Sequence, residues 1–214
     1  MKWLDVLERK TRRFAVVHLM NYLVLGMALV YVGDMMGFGF SQWLSLSRAQ
    51  VLRGQVWRLV TFVFLPNQTS PLWLLISLYF YWLIGSALEN HWGASRLTLY
   101  YAMGMVGCIL SAMLTGYGTN TFLNLSLFFA FAATWPDYQV LVFFILPVKM
   151  KWLAALNAAV YVWQLIVGSW STRAAIALSL LNVALFLGGD FIQRLRQDSH
   201  YWKTRRNFRK SMRR

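Results

Sequence analysis

Hydroxyls that can attack, imidazoles that can carry a proton and amides that can hold a carbonyl oxygen are the groups from which this chain would build a reaction. They are densest in GYGTNTFLNLSLFFAFA, residues 116–132, where Asn120, Thr121, Asn124 and Ser126 follow closely on one another. A serine or threonine hydroxyl is a weak nucleophile until a base sits within hydrogen-bond reach of it. The chain has three histidines, His18, His91 and His200, and none lies in or beside this stretch. Thr121 beside an amide is thus a nucleophile's atom without a base, and Ser126, between Leu125 and Leu127, reads as a helix-packing hydroxyl. His18 and Asn21, three apart, are too few for a proton or metal relay and read as packing residues. The single cysteine, Cys108, has no second thiol for a disulfide or a metal site. No metal and no cofactor is expected.

The elements that must position these groups are apolar. Of 214 residues 58% are hydrophobic and 13% charged, a balance suited to a bilayer rather than to water. A span needs about 20 largely apolar residues, fewer where neighbouring helices shield it. Six segments qualify: residues 14–32, 71–88, 97–116, 121–135, 152–167 and 174–191. The fourth is short and polar at its start, which suits a helix surrounded by the others. The first follows a basic segment as a signal peptide would, but it is longer than an h-region and no small-residue cleavage pattern follows, so it is expected to be retained.

Charge placement supports this layout. The net charge is +14, from 21 Lys and Arg against 7 Asp and Glu. With six spans, 17 of the basic residues fall on the side holding both termini and four (Arg48, Arg53, Arg58, Arg173) fall opposite. That bias predicts both termini in the cytoplasm. The chain divides into a basic N-terminal segment (1–13), a membrane domain (14–193) and a basic tail (194–214). Tyr201, Trp202 and Phe208 among the tail's cations suit an anionic lipid surface rather than nucleic acid, which is not expected as a partner.

Two connections carry more than turn chemistry. Residues 33–70 are too long for a simple link in a compact bundle. Their apolar side chains Phe38, Phe40, Trp43, Leu44, Val51, Leu52, Val56 and Trp57 predict a structure lying partly in the membrane interface. Residues 138–154 predict a second interfacial segment, ending at Pro147.

Three strings, GQVWRLVTFVFLP (54–66), GSALENHWGASRLTLYYAMG (85–104) and WPDYQVLVFFILPVKMKWLA (135–154), occur in an order and spacing that resemble the rhomboid superfamily of intramembrane serine proteases and their inactive relatives. The resemblance covers nearly the whole chain and implies an all-α, six-helix bundle with a long membrane-embedded first loop. It implies that Trp57 and Arg58 belong to that loop, where an arginine with five donors can tie carbonyls together. It gives Glu89, Gly93 and Arg96 a structural role at the turn between the second and third spans. It also implies a glycine-flanked serine at the start of the fourth span and a histidine in the sixth. Here the fourth span offers Asn120, Thr121 and Asn124, and Asn182 stands near the histidine's place. The family's oxyanion-supporting His and Asn correspond approximately to Trp73 and Ser77. All are degenerate active-site positions.

The function that follows is that of a pseudoprotease: not an enzyme, but a multi-pass membrane protein, expected in a bacterial plasma membrane, that binds transmembrane segments of client proteins for quality control, trafficking or regulated degradation. A divergent active protease and a small six-helix transporter are the alternatives. The transporter lacks the mid-span ionisable residues such proteins carry, since Asp34, Glu89, Asp137 and Asp190 sit near predicted span ends.

Overall fold

The structure is a computed structural model. It describes residues 15–170 except 69 and 143–145, and from there residues 172, 173, 176–178, 180, 181 and 183. The basic segment 1–13, Asn182 and the tail 194–214 lie outside the described residues, as does most of the expected sixth span.

Eight α-helices, one 3₁₀ turn and two two-stranded antiparallel sheets are described. Helix α1, Leu19–Met35, is followed by the loop region, which contains α2 (Phe40–Leu44), β1 (Leu46–Ser47), α3 (Arg48–Leu52), α4 (Arg58–Thr61) and a 3₁₀ turn, Phe62–Phe64. Then come α5 (Pro71–Trp92), α6 (Ala94–Thr115), β2 (Tyr117–Gly118), α7 (Thr121–Thr134), the hairpin β3–β4 (Gln139–Val142, Leu146–Lys149) and α8 (Met150–Val167).

Helices α5, α6 and α8 are long and apolar enough to cross a membrane; α1 and α7 are shorter apolar helices. The 22 residues of α5 and of α6 give each a length of about 33 Å, close to the hydrocarbon thickness of about 30 Å. Pro71 opens α5 at a first-turn position, where its missing N–H costs nothing. Gly93, with φ 85°, makes the turn into α6, a backbone region that a side chain would strain.

The 14 residues of α7 reach only about 21 Å, too little to span alone. It survives by burial. Leu123, Leu127, Phe128, Ala130, Phe131 and Ala132 are all buried, and α5, α6 and α8 each pack against it. The central placement expected of the fourth apolar segment is what the structure shows. Helix α6 also meets a later neighbour: Leu178 approaches Gly107, and Ile176 is fully buried, while Leu180 and Leu181 are exposed.

The long connection is a set of short helices, not an open loop. Of its apolar residues Phe38, Phe40, Trp43, Leu52, Val56 and Trp57 are exposed, and the rings of Phe38 and Phe40 stack at 5.6 Å. Strand β1 pairs antiparallel with β2, Leu46 opposite Gly118, which fastens the loop to the C-terminal end of α6. The Phe64 ring is seated on Gly26 of α1, where an added Cβ would overlap it. Gly26→Leu is therefore expected to cost about 1–3 kcal/mol through overpacking, read as a lower thermal midpoint in detergent.

Two expectations are corrected. Residues 138–154 form no single segment ending at Pro147: Pro147 lies inside β4, opposite Leu141. A two-stranded sheet has only edge strands, which tolerate a residue without an N–H. The first helix also begins later than residue 14, because His18 takes a left-handed conformation, φ 57°, and lies exposed at the helix start rather than packed within it.

Candidate functional site

The bundle has two polar ends. At one, the loop region meets the start of α7. Arg58, 3% exposed, is held within the loop region. Its Nη1 donates to the carbonyls of Gln42 (2.8 Å) and Ser45 (2.7 Å), and its Nε donates to Gln55 Oε1 at 2.6 Å. Trp57 beside it is exposed. The guanidinium thus ties two backbone carbonyls and a side-chain amide oxygen of the loop region together.

Asn120, 1% exposed, stands at the N-terminal cap position of α7. Its Nδ2 donates to the carbonyls of Val63 (3.0 Å) and Leu65 (2.8 Å), so the amide clips the far end of the loop onto the central helix. Thr121 is exposed and its hydroxyl reaches Asn67 Oδ1 at 3.3 Å. Ser126 is buried and donates to Leu123 O at 2.7 Å, an intrahelical bond that occupies its proton. On α5, Ser77 donates to Trp73 O at 2.8 Å, while Trp73 is exposed. Asn182 lies outside the described residues.

One turn deeper, Asn124 is 4% exposed and its Nδ2 has no partner among the described residues. Around it gather groups the sequence reading did not single out. The Tyr81 hydroxyl of α5 neighbours the amides of Asn124 and Asn67. Tyr101 of α6 and Tyr161 of α8 lie close to Tyr81. The signal was in the sequence: three tyrosines placed within otherwise apolar segments, where a hydroxyl needs a partner.

The other end of the bundle holds the two described histidines. His18 precedes α1, and its backbone N–H donates to Glu89 Oε1 at 2.6 Å. Glu89 thereby caps the first helix from a position 71 residues away. Arg96 stands over the Trp92 ring at 5.8 Å across the Gly93 turn. His91 packs edge-on against Trp135, just past the C-terminal end of α7, with ring centroids 5.1 Å apart. The helix puts about 20 Å between that end and Thr121. Neither described imidazole is placed to take a proton from the hydroxyls at the start of α7.

At the same end Asp137 accepts from Lys151 (2.9 Å) and Lys149 (3.4 Å). Hydrogen bonds from Lys151, then Lys149, hold the exposed Asp137 carboxyl below its usual value. A carboxyl lowered on folding adds stability above its ordinary pKa of 3.8 and loses it as the pH falls through the folded value. The expected result is a small acid-side loss of stability, below pH 4, that Asp137→Asn removes; detergent melts across pH 2–6 measure it.

These positions can hold a loop, cap a helix and present amides and hydroxyls to an acceptor. No curated protein matches the chain. A family model described as eukaryotic integral membrane protein (DUF1751) matches residues 15–188, nearly all of the described bundle. A eukaryotic family does not fit the bacterial plasma membrane expected from the sequence, and that expectation is corrected. The chain belongs to this family of integral membrane proteins.

Proposed function

We propose that the chain is a six-span, rhomboid-like bundle without a catalytic dyad, and that it holds transmembrane segments of other membrane proteins. The observation that carries this reading is the use made of the start of α7. Where the rhomboid resemblance would put a nucleophile, Asn120 spends both protons of its amide on loop carbonyls, and the described histidines stand at the opposite end of the helix. Residues 174–191, where the resemblance would put the base, contain no histidine. A frame so occupied is suited to keep its shape and not to turn over a peptide bond.

What the frame offers instead is surface within the bilayer. Helix α5 exposes Tyr79 and Trp82, and α8 exposes Leu156, Val160 and Trp163. The short α7 between them leaves this part of the bundle thinner than a spanning helix, and a client helix beside it meets a hydrophobic mismatch that weakens its hold in lipid. Both termini are placed in the cytoplasm by the bias of basic residues, and the basic tail adds affinity for anionic lipid.

Photo-crosslinkers at Tyr79, Trp82 and Val160 test the reading. Discrete adducts with other multi-pass or single-span membrane proteins are expected from these positions and not from exposed Leu114 on α6. The absence of adducts at all three positions would sink the proposal. Cleavage of a transmembrane substrate that is lost in Thr121→Ala or Ser126→Ala would establish the protease alternative in its place.

A further inference from the structure

We propose that Arg48 and Arg53 hold the phosphate headgroups of anionic lipids in the leaflet at the loop end of the bundle, so that α3 is a lipid-docking surface. Strand pairing sets its depth. Ser47 stands opposite Tyr117, and the Arg48 backbone N–H donates to Gly116 O at 2.8 Å, directly after the last residue of α6. Helix α6 is about 33 Å long and the hydrocarbon layer about 30 Å thick, so the end of that helix comes to the boundary where headgroups begin. Arg48 is fixed at that level by its own main chain, and Arg53 caps the same short helix five residues on.

The charge at this end is unbalanced. Arg48 and Arg53 are exposed, and neither guanidinium has a partner among the described residues. The other two arginines here are already committed: Arg58 donates to loop carbonyls, and Arg173 donates to Ile166 O at 2.7 Å and stands over the Trp170 ring. Of the described carboxylates, Glu89 and Asp137 lie at the opposite end of the bundle, where the His18 N–H and the lysines take them. The third, Asp34, accepts from the backbone N–H of Ser41 at 3.1 Å and from its hydroxyl. Two cations are thus left facing outward with no carboxylate assigned to them, and their complement is an anion from outside the chain.

What surrounds the two cations identifies that anion as a lipid. Trp43, Leu52, Val56 and Trp57 are all exposed within ten residues of them. An acidic partner in water would leave those four side chains wet, whereas a leaflet receives them: indoles sit at the headgroup level and aliphatic side chains below it. A guanidinium at that level keeps its stem along the apolar layer and turns its planar fork to a phosphate, which it can grip through two N–H donors at once. This contact lies at the far end of α6 from the Gly93 turn, it uses none of the residues offered to client segments, and it stands or falls independently of the segment-holding reading.

The test uses the full chain in phosphatidylcholine liposomes carrying a minor share of a photo-reactive lipid, either phosphatidylglycerol or phosphatidylcholine, with the reactive group next to the headgroup and adducts mapped along the chain. Over residues 43–57 wild type is expected to give about fivefold more adducts with the anionic probe, the ratio that a cation near a membrane surface supplies. In about 1 M salt, where charges are screened beyond about 3 Å, the ratio is expected to fall to about twofold or less. Arg48→Gln and Arg53→Gln together are expected to bring it to about one, and Arg48→Lys with Arg53→Lys to keep more than half of it. Both double variants are expected to keep the wild-type thermal midpoint, and adducts over residues 194–214 to stay as in wild type. Equal labelling of wild type by the two probes overturns the proposal, as does a preference that survives in the glutamine variant. A fall of the same size over residues 194–214 overturns it too, because the change would then not belong to the loop, and so does a lowered midpoint in both variants, because the arginines would then be holding the protein itself.

Discussion

An Arg58→Ala protein is expected to unfold about 5–15 °C below wild type in detergent, the shift that follows from a loss of about 2–4 kcal/mol in a chain of this size. The loss has named parts. The guanidinium is 3% exposed and donates to Gln42 O, Ser45 O and Gln55 Oε1. Truncation to a methyl removes these bonds and a fourth, from Nη1 to Ser45 Oγ at 3.2 Å, and leaves acceptors facing a space shaped for a planar fork. Charge alone will not rescue it. Lys is a point donor on a flexible stem and cannot reach two carbonyls and an amide oxygen at once, so Arg58→Lys is expected to keep more than half of the defect. Arg48, exposed on α3, provides the comparison: Arg48→Ala is expected to stay within about 0.5 kcal/mol of wild type. Because the loop is also fastened through β1 to β2 and through Phe64 to Gly26, the Arg58 variant should keep its helices while the loop loosens. Faster proteolysis confined to residues 40–60, ahead of any loss of helical circular dichroism, would show that order.

The parts of this fold that were legible from residues alone are those the bilayer dictates. Long apolar runs give α5, α6 and α8, and a short one with a polar start gives a helix that must be covered, which is where α7 lies. Arg58 was legible in kind, because an arginine in apolar surroundings needs acceptors, and its partners are within 16 residues. What could not be read depends on distant pairing. The start of α1 is set by Glu89, 71 residues from His18, so a hydropathy window placed it too early. The apolar run around Pro147 has the composition of an interfacial helix, yet it pairs with Gln139–Val142. By the resemblance Asn120 and Asn124 both stand at degenerate active-site positions, but only the structure separates them: Asn120 donates to two loop carbonyls, whereas the Asn124 Nδ2 has no partner among the described residues. Their difference rests on carbonyls 55 and 57 residues away and on tyrosines from three other helices.

That difference gives the second large effect. Asn120→Ala is expected to cost about 2–3 kcal/mol, because it leaves Val63 O and Leu65 O without their donor in a buried place. Asn120→Asp is expected to cost more than alanine at neutral pH although it is nearly the same shape. An ionised carboxylate can only accept, and here it would face two acceptors across hydrogen-bond distance. Its deficit should shrink as the pH falls, since the protonated carboxyl can donate one of the two lost bonds; alanine's should not change with pH. The Arg58→Ala and Asn120→Ala losses are expected to fall short of additive, because both side chains hold one loop and it can be released only once. Thr121→Ala, one residue further on, removes an exposed hydroxyl at 3.3 Å from Asn67 and should lie within about 0.5 kcal/mol of wild type. If this end of α7 were a working nucleophile site, the order would be reversed: Thr121 would govern activity with little effect on stability, and the Asn120 amide would be spared for the reaction. A melt series over these variants, run beside the crosslinking from Tyr79 and Trp82, distinguishes a start of α7 that serves to hold the loop from one that serves to cut.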